Sequence, residues 1–272
     1  MSTQATAVLS ERLARSGIRL FSALVLAFLV APILVVVPLS FNQSTYFSYP
    51  ITGLTLGWYE MIFSSGEWRA AIANSFIIGL SATAIATVLG TLAAIGISRP
   101  SFPFRGIIVP ILIAPMIIPI VVVAVSLYLV FAPLGLINTH LGVILAHAAL
   151  GTPFVVIVVT ARLTAFDTNL TRAAASLGAP PWTAFRRVML PQILPGVVTG
   201  SIFAFATSFD EVVVILFIGG TEQRTIPRQM WAGIRDQINP TILAMAGLLT
   251  VFAVVLFLVI GWLQGRSRAA GG

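Results

Sequence analysis

The sequence has no lysine and no cysteine, and few charged residues of any kind. All 15 basic residues are arginine, and charged side chains make up 8% of the 272 residues, far below the roughly 25% of soluble domains. A P-loop needs a lysine that reaches the β- and γ-phosphates of ATP, so we expect any ATP hydrolysis to occur on another polypeptide. The missing thiols exclude disulfides, thiolate catalysis and cysteine-ligated metal sites.

Most of the chain consists of apolar runs of about 20 residues, the length that crosses the hydrocarbon core of a bilayer. Hydrophobic residues make up 58% of the sequence. The runs are Phe21 to Phe41, Ala70 to Ile97, Gly106 to Phe131, Leu141 to Leu163, Ile193 to Ile218 and Thr241 to Leu263. The first is too long for a signal peptide and precedes no small-residue cleavage site, so we expect a retained helix. The sequence predicts an all-α, polytopic membrane protein with six transmembrane helices.

The arginines fall mostly on one side of these runs. With the N-terminus inside, the segments between the runs place eleven arginines inside and four outside, namely Arg69, Arg224, Arg228 and Arg235. The positive-inside rule then predicts that both termini are cytoplasmic. The charge of +7 and the pI of 11.2 follow from this topology and from contact with membrane lipid, so no nucleic-acid partner is expected.

A polar stretch, Thr171 to Gly196, separates the fourth and fifth runs and predicts two short helices joined by a turn. Asp167 or Thr168 can cap the first helix, and Gly178 stands where a helix end favours positive φ. Pro180 and Pro181 suit the first turn of the second helix, and Pro191 marks its expected end. Trp182, Phe185 and Met189 have the spacing of an apolar stripe, with Arg187 facing away from it.

The spacing in this stretch resembles the EAA loop of ABC importer permeases. Its positions are filled here by Ala173, Ala174, Gly178, Val188, Leu190 and Pro191. The resemblance implies an ATPase-coupling loop over residues 166–192, with Arg186 and Arg187 within it. Arg172 replaces the glutamate of the motif, so the contact made by that glutamate must differ. The alternative is an ordinary amphipathic connector between transmembrane helices.

The apolar runs differ in their internal features. The second is rich in glycine, alanine and serine, which let helices approach closely in a membrane. The third carries Pro110, Pro115 and Pro119, a pattern that favours a helix that flexes or lines a cavity. His140 and His147, seven residues apart without other ligands nearby, are expected to be neutral hydrogen-bonding residues and not metal ligands.

The fifth run contains Asp210 and Glu211, and a carboxylate inside a membrane is a functional candidate. Read as one helix, the run places Asp210 on a face with Phe203, Thr207 and Val214, and Ser208 lies beside them. A carboxylate beside an aromatic ring suits an organic ammonium group. Glu211 points about 100° away, and one of the two acids is expected to pair with an arginine. The alternative is an ion pair of purely structural importance.

Several short segments resemble the second permease subunit of spermidine/putrescine ABC importers. They are S-F-D-E-V-V-V, Gly219-Gly220, T-I-P at Thr225 to Pro227 and Asn239-Pro240, and the likeness extends over about residues 58–263. Importers of opines, aminobutyrate-like compounds, aminophosphonates or iron share much of this pattern. An ion-coupled secondary carrier has no use for the coupling loop, and a membrane enzyme lacks a catalytic motif here.

The resemblance implies the fold, the partners and the division of the chain. The fold is that of type I (MetI-like) ABC importer permeases in the bacterial inner membrane, working by alternating access. The implied partners are a cytoplasmic ATPase dimer that holds the ATP and magnesium, a second homologous permease and an extracytoplasmic solute-binding protein. No catalytic site, metal site or cofactor is expected on this chain. A cytoplasmic arm covers residues 1–19, the permease domain 20–265 with a core at about 70–263, and a cytoplasmic tail 266–272.

Overall fold

The computed structural model describes residues 2–45, 50–99, 101–236 and 240–269, and in these ranges the chain is helical with no β-strand. The helices are α1 (Ser2–Leu39), α2 (Gly57–Ser64), α3 (Gly66–Ile97), α4 (Arg105–Ile117), α5 (Ile120–Phe131), α6 (His140–Thr164), α7 (Asn169–Ser176), α8 (Pro181–Ala184), α9 (Leu190–Phe209), α10 (Val213–Ile218), α11 (Ile226–Asp236) and α12 (Thr241–Ala269). They form two compact units, Met1–Phe63 with Asp236–Gly272, and Ser64–Arg235. The predicted boundaries of the permease domain stay a prediction.

The first unit joins α1, α2 and α12, and its polar contacts fix the chain that follows α1. The hydroxyl oxygens of Ser40 and Tyr59 lie 2.6 Å apart, and the indole N–H of Trp58 donates to the carbonyl of Asn42 at 2.9 Å. Gly247 of α12 faces both hydroxyls, and a Cβ there would lie 3.3 Å from the Tyr59 oxygen. These contacts fasten α2, through Trp58 and Tyr59, to the chain that follows α1.

The second unit is organised around α6, which packs between α3 and α9. Val155 of α6 is fully buried and lies against a glycine on each neighbouring helix. A Cβ on Gly90 of α3 would lie 2.7 Å from the Cβ of Val155, and one on Gly200 of α9 would lie 2.9 Å from its Cα. The prediction that the small residues of the second run allow close helix packing inside the bundle is confirmed.

The third apolar run, predicted as one of six transmembrane helices, is not a single helix. It divides into α4 and α5, and the helix direction bends by 109° between them. Ile118 between them is extended, as expected of a residue before proline, and Pro119 caps α5 without a backbone N–H. Pro110 and Pro115 remain inside α4. The expectation of an interrupted helix is met at one proline of the three.

Four other helices among the described residues are long and apolar enough to cross a membrane, and the bent pair makes a fifth candidate. They are Arg15–Leu39, Gly66–Ile97, His140–Thr164 and Pro181–Phe209. The sixth run lies within α12, whose apolar portion Thr241–Leu256 is shorter than these four helices. Residues 270–272 of the predicted tail and Asn239 of the N-P segment lie outside the described residues.

The fifth run also differs from its prediction, because it contains a break. Helix α9 ends at Phe209, Asp210 and Glu211 follow outside any helix, and α10 begins at Val213. Val214 therefore does not continue the face that carries Asp210. It lies instead in the fully buried core formed by α10, α5 and α6. The break brings irregular backbone into the middle of the bundle.

The stretch that resembles the EAA loop forms two helices with a turn, as predicted. Gly178 has φ of +82°, and the N–H of Asn169 donates to the Asp167 carboxylate at 2.9 Å. The expected end at Pro191 is wrong, because the second helix continues into α9. A π-helical turn, Phe185–Met189, precedes Pro191 and leaves it in the first turn of α9, where a missing N–H is tolerated.

Candidate functional site

A cavity of about 460 Å³ lies where the two broken helices meet. The segments beside both breaks and one face of α6 form its wall. The lining residues are Pro115, Met116, Ile118, Ile120, Leu150, Phe154, Thr207, Asp210, Glu211, Val212 and Val213. Apart from Leu150 and Phe154 of α6, the lining residues lie at or beside the two breaks, so the cavity coincides with the breaks.

Asp210 is the exposed carboxylate of this cavity. It ends α9, and its N–H donates to the carbonyl of Ala206 at 3.1 Å. Thr207, one turn earlier, also lines the cavity. Phe203 does not line it, but its ring stacks on that of Phe154, with centroids 6.2 Å apart. The structure thus brings Asp210, Thr207 and an aromatic wall together, and the ring that reaches the cavity, Phe154, was not predicted from the sequence.

Glu211 has a different environment from its neighbour. The residue is 8% exposed, and its carboxylate accepts the backbone N–H groups of Val214 at 2.9 Å and Ile215 at 3.3 Å. These are amides at the start of α10 that have no partner within the helix. The expectation that one acid pairs with an arginine does not describe Glu211, whose carboxylate stabilises the N-terminus of α10 and faces His147.

His147 and Ser208 form a buried polar contact behind the cavity. The histidine is fully buried, and its Nδ1 lies 2.8 Å from the hydroxyl of Ser208. Its Nε2 lies 3.8 Å from Glu211 Oε2. The geometry is consistent with the expected hydrogen-bonding role of this histidine, but its partners could not be predicted from the sequence. Ser208, predicted beside the pathway, is buried and contacts the histidine instead of the cavity.

The coupling stretch presents exposed apolar side chains, a feature that sequence reasoning missed. Leu177, beside Gly178, is 89% exposed, and Trp182 is 67% exposed. The rings of Trp182 and Phe185 lie 5.4 Å apart, so the predicted stripe is only partly buried. The motif positions and basic residues are mostly at the surface: Arg172, Ala173, Gly178, Arg186, Arg187 and Pro191 are exposed, and Ala174 and Leu190 are half-buried. Leu177 and Trp182 therefore leave apolar surface available for contact with another molecule.

A polar network fixes the loop between α10 and α11 to the starts of α3 and α6. The amide nitrogen of Asn74 donates to the carbonyls of Glu222 and Arg224, at 2.6 and 3.0 Å. The side-chain oxygen of Asn74 lies 3.1 Å from His140 Nε2, and the amide nitrogen of Gln223 lies 3.4 Å from His140 Nδ1. His140 is thus separate from His147. No group of three or more possible metal ligands occurs among the residues described.

Next to this network, Arg228 donates to the carbonyl of Gly220. Burial, together with the charge of Arg224, lowers the pKa of Arg228. The same loop contacts α3 a second time, because the N–H of Ile226 donates to the hydroxyl of Ser75 at 2.8 Å. The loop is therefore held at several points.

We expect Asn74→Asp to loosen this loop. The carboxylate cannot donate to the two carbonyls, and each buried acceptor left unsatisfied costs about 1–3 kcal/mol. Trypsin cleavage after Arg224, which depends on opening of the loop, should become about tenfold faster or more. Ser126→Ala, which removes a hydroxyl bonded only within its own helix, is the control. Unchanged cleavage of Asn74→Asp would show that the network does not hold the loop.

Apolar helices of membrane-spanning length, two of them broken beside one cavity, define a class of protein. Irregular backbone at membrane depth is tolerated where it lines a cavity, and broken helices form the substrate sites of many transporters. The architecture is that of a membrane transport protein.

The chain belongs to the family of binding-protein-dependent transport system inner membrane components, whose pattern matches residues 86–269. It is 32% identical to the spermidine/putrescine transport system permease protein PotC of Haemophilus influenzae, over 87% of this chain and 91% of that protein. It is 30% identical to PotC of Escherichia coli, over 96% and 97%. The fold also matches a bacterial ABC transporter involved in alginate import, with a TM-score of 0.72 and 15% identity over 94% and 97% of the two chains.

These comparisons confirm the resemblance and the predicted fold class. The chain is a permease subunit of an ABC importer with the MetI-like fold, a subunit that is not itself catalytic. It is an inner-membrane component, as predicted. The comparisons do not test the roles of individual site residues, which stay predictions.

Proposed function

We propose that the chain forms half of a translocation pathway for polyamines such as putrescine and spermidine. The observation that carries the proposal is the exposed carboxylate of Asp210, in a cavity that Phe154 and Thr207 also line. An ammonium group gains a charge-assisted hydrogen bond from such a carboxylate and a cation–π contact from a nearby ring. The names of the PotC relatives, which span nearly the whole chain, support the same substrate class.

The cavity wall suits the rest of a polyamine as well. Apart from Thr207, Asp210 and Glu211, its lining residues are apolar, and methylene groups gain free energy when they leave water for such a surface. Glu211 also lines the cavity, but both of its carboxylate oxygens already accept amides at the start of α10. The pathway in this chain therefore offers one carboxylate to one ammonium group, and Phe203 supports the ring of Phe154 from behind.

The proposed assembly contains this chain, a second homologous permease, a cytoplasmic ATPase dimer and an extracytoplasmic solute-binding protein. ATP and magnesium bind to the ATPase, since this chain has no lysine for a P-loop and carries no ATPase site of its own. The exposed Leu177 and Trp182 dock into the ATPase, because apolar side chains protruding into water on a cytoplasmic segment gain from being covered. The arginine bias supports cytoplasmic N- and C-termini.

The experiment that tests the substrate class is ATP hydrolysis by the reconstituted complex with its solute-binding protein. The panel is putrescine, spermidine, an opine, 4-aminobutyrate, an aminophosphonate and a ferric chelate. We expect stimulation by putrescine or spermidine above the rate with unloaded binding protein. Stimulation by another member of the panel and not by the polyamines would assign the permease to that substrate and overturn the polyamine proposal.

A further inference from the structure

The imidazole of His147 bridges the break between α9 and α10. On one side its Nδ1 lies 2.8 Å from the hydroxyl of Ser208, in the last turn of α9. On the other side its Nε2 lies 3.8 Å from the carboxylate of Glu211, just before α10. Asp210, which lines the cavity, is between these two residues in the chain. A single ring on α6 thus faces both sides of the backbone segment that carries Asp210.

The carboxylate of Glu211 favours one of the two tautomers of the imidazole. Glu211 accepts two backbone N–H groups, so its carboxylate faces His147 as an acceptor and favours a proton on Nε2. A neutral imidazole with a proton on Nε2 has an acceptor at Nδ1. The hydroxyl of Ser208 then donates to Nδ1, and the Nε2–H of His147 points toward Glu211.

His147 Nε2 is buried and has no hydrogen-bond partner in the structure. A buried donor without a partner is costly, and a gap of 3.8 Å is about 1 Å longer than an ordinary hydrogen bond. A closing movement of about 1 Å at the break would bring Nε2 within hydrogen-bond distance of Glu211 and remove this cost. Ser208 therefore orients the ring so that Nε2 faces the carboxylate of Glu211.

We propose that His147 is a positioning residue that sets the geometry of this break and so aims the carboxylate of Asp210 into the cavity. The part that concerns Asp210 rests on the proposed function. His147 itself does not line the cavity, so it acts on the substrate through Asp210. A histidine that merely fills space in the core would have no effect on the direction of the Asp210 side chain.

Thiol labelling of the assembled complex tests this positioning without reference to transport. The chain contains no cysteine, so Asp210→Cys introduces its single thiol, and the labelling by a small cationic methanethiosulfonate is followed from the mass of this chain. We expect His147→Leu and Ser208→Ala each to slow labelling about fivefold, the equilibrium effect of one hydrogen bond. We expect His147→Asn, whose amide oxygen takes the place of Nδ1 and can accept from the hydroxyl of Ser208, to restore most of the rate.

Thr152→Ala is the matched control, because Thr152 is also on α6 and its hydroxyl bonds only to Ala148 of the same helix. Its labelling rate should equal that of the parent. Equal rates in the parent, His147→Leu and Ser208→Ala would overturn the proposal. Slowing of the same size in the Thr152→Ala control would also overturn the proposal. Because the labelling rate does not depend on which solute is carried, a wrong substrate class leaves this result unaffected.

A double-mutant comparison measures the link to Asp210 in uptake assays. With Asp210 present, His147→Leu should lower uptake about fivefold, and with Asp210→Asn it should cause no further loss, since residues that act through one another are not additive. Full additivity of the two changes would contradict the proposed route through Asp210.

Discussion

Gly178→Val is expected to abolish co-purification of the ATPase subunit while the permease still inserts into the membrane. Gly178 has φ of +82°, a conformation that costs an L-residue about 1–2 kcal/mol and a β-branched residue more. The turn sets the position of α7 and of the exposed Leu177 relative to α8. When the turn is lost, these surfaces no longer fit one partner groove, and we expect at least about a tenfold loss of bound ATPase.

Gly178→Asn is the matched control at the same position, since asparagine accepts left-handed backbone more readily than other residues. A Cβ at this position meets no atom within 4 Å, so backbone conformation and not crowding is what the two variants compare. We expect Gly178→Asn to retain most of the ATPase. Normal co-purification with normal uptake in Gly178→Val would count against a docking role for this turn.

Asp210→Asn is expected to reduce polyamine uptake about tenfold to a hundredfold, with assembly and basal ATP hydrolysis retained. The amide has nearly the same shape as the carboxylate but has no charge, and hydrogen bonds to charged groups contribute about 1.5–3 kcal/mol. Asp210 ends α9 through its backbone N–H, which the substitution leaves unchanged. Uptake of labelled putrescine into proteoliposomes containing the whole complex measures the effect.

Glu222→Gln removes an exposed carboxylate from the loop between α10 and α11 and serves as the control for net charge. Its uptake should match that of the parent complex. Full uptake by Asp210→Asn would leave a structural role for this acid as the better explanation. Equal losses in both variants would point to the overall charge of this part of the chain.

The family and most of the helices were predictable because their signals are local. The EAA-like spacing indicates the coupling stretch, and the glycine at 178 has the positive φ that a turn requires. The apolar runs predict α6 to within one residue at each end and the end of α3, although α3 begins four residues earlier than its run. The small residues of the second run are found packed against α6. Each of these inferences depends on neighbouring residues or on one periodicity, which a sequence contains directly.

The break after Phe209 could not be predicted in the same way. The residues around it include no glycine or proline, and V-V-V-I-L reads as a continuing apolar helix. The break is stabilised by the side chain of Glu211, which supplies acceptors to the first amides of α10, and by the approach of His147 from α6. The latter contact joins residues 64 positions apart, and no periodicity indicates it.

The prediction that a helix ends at Pro191 was wrong for a related reason. Proline ends most helices because its missing N–H and its ring disturb the preceding turn. Here the π-helical turn Phe185–Met189 changes the hydrogen-bond pairing before Pro191, and the helix continues as α9. The coupling stretch is therefore joined to the span that carries Asp210 by continuous helix, which provides a direct mechanical connection between the proposed docking surface and the cavity.

We expect a polyamine to pass through the cavity beside Asp210, and protection of a cavity thiol by the substrate tests this claim most directly. In the complete complex with its solute-binding protein and ATP, Thr207→Cys places a thiol in the cavity wall of a chain that otherwise has none. We expect putrescine or spermidine to slow labelling of this thiol by a methanethiosulfonate reagent, and the neutral sugar trehalose to leave the rate unchanged. Labelling that polyamines do not slow, although they stimulate ATP hydrolysis, would contradict the claim.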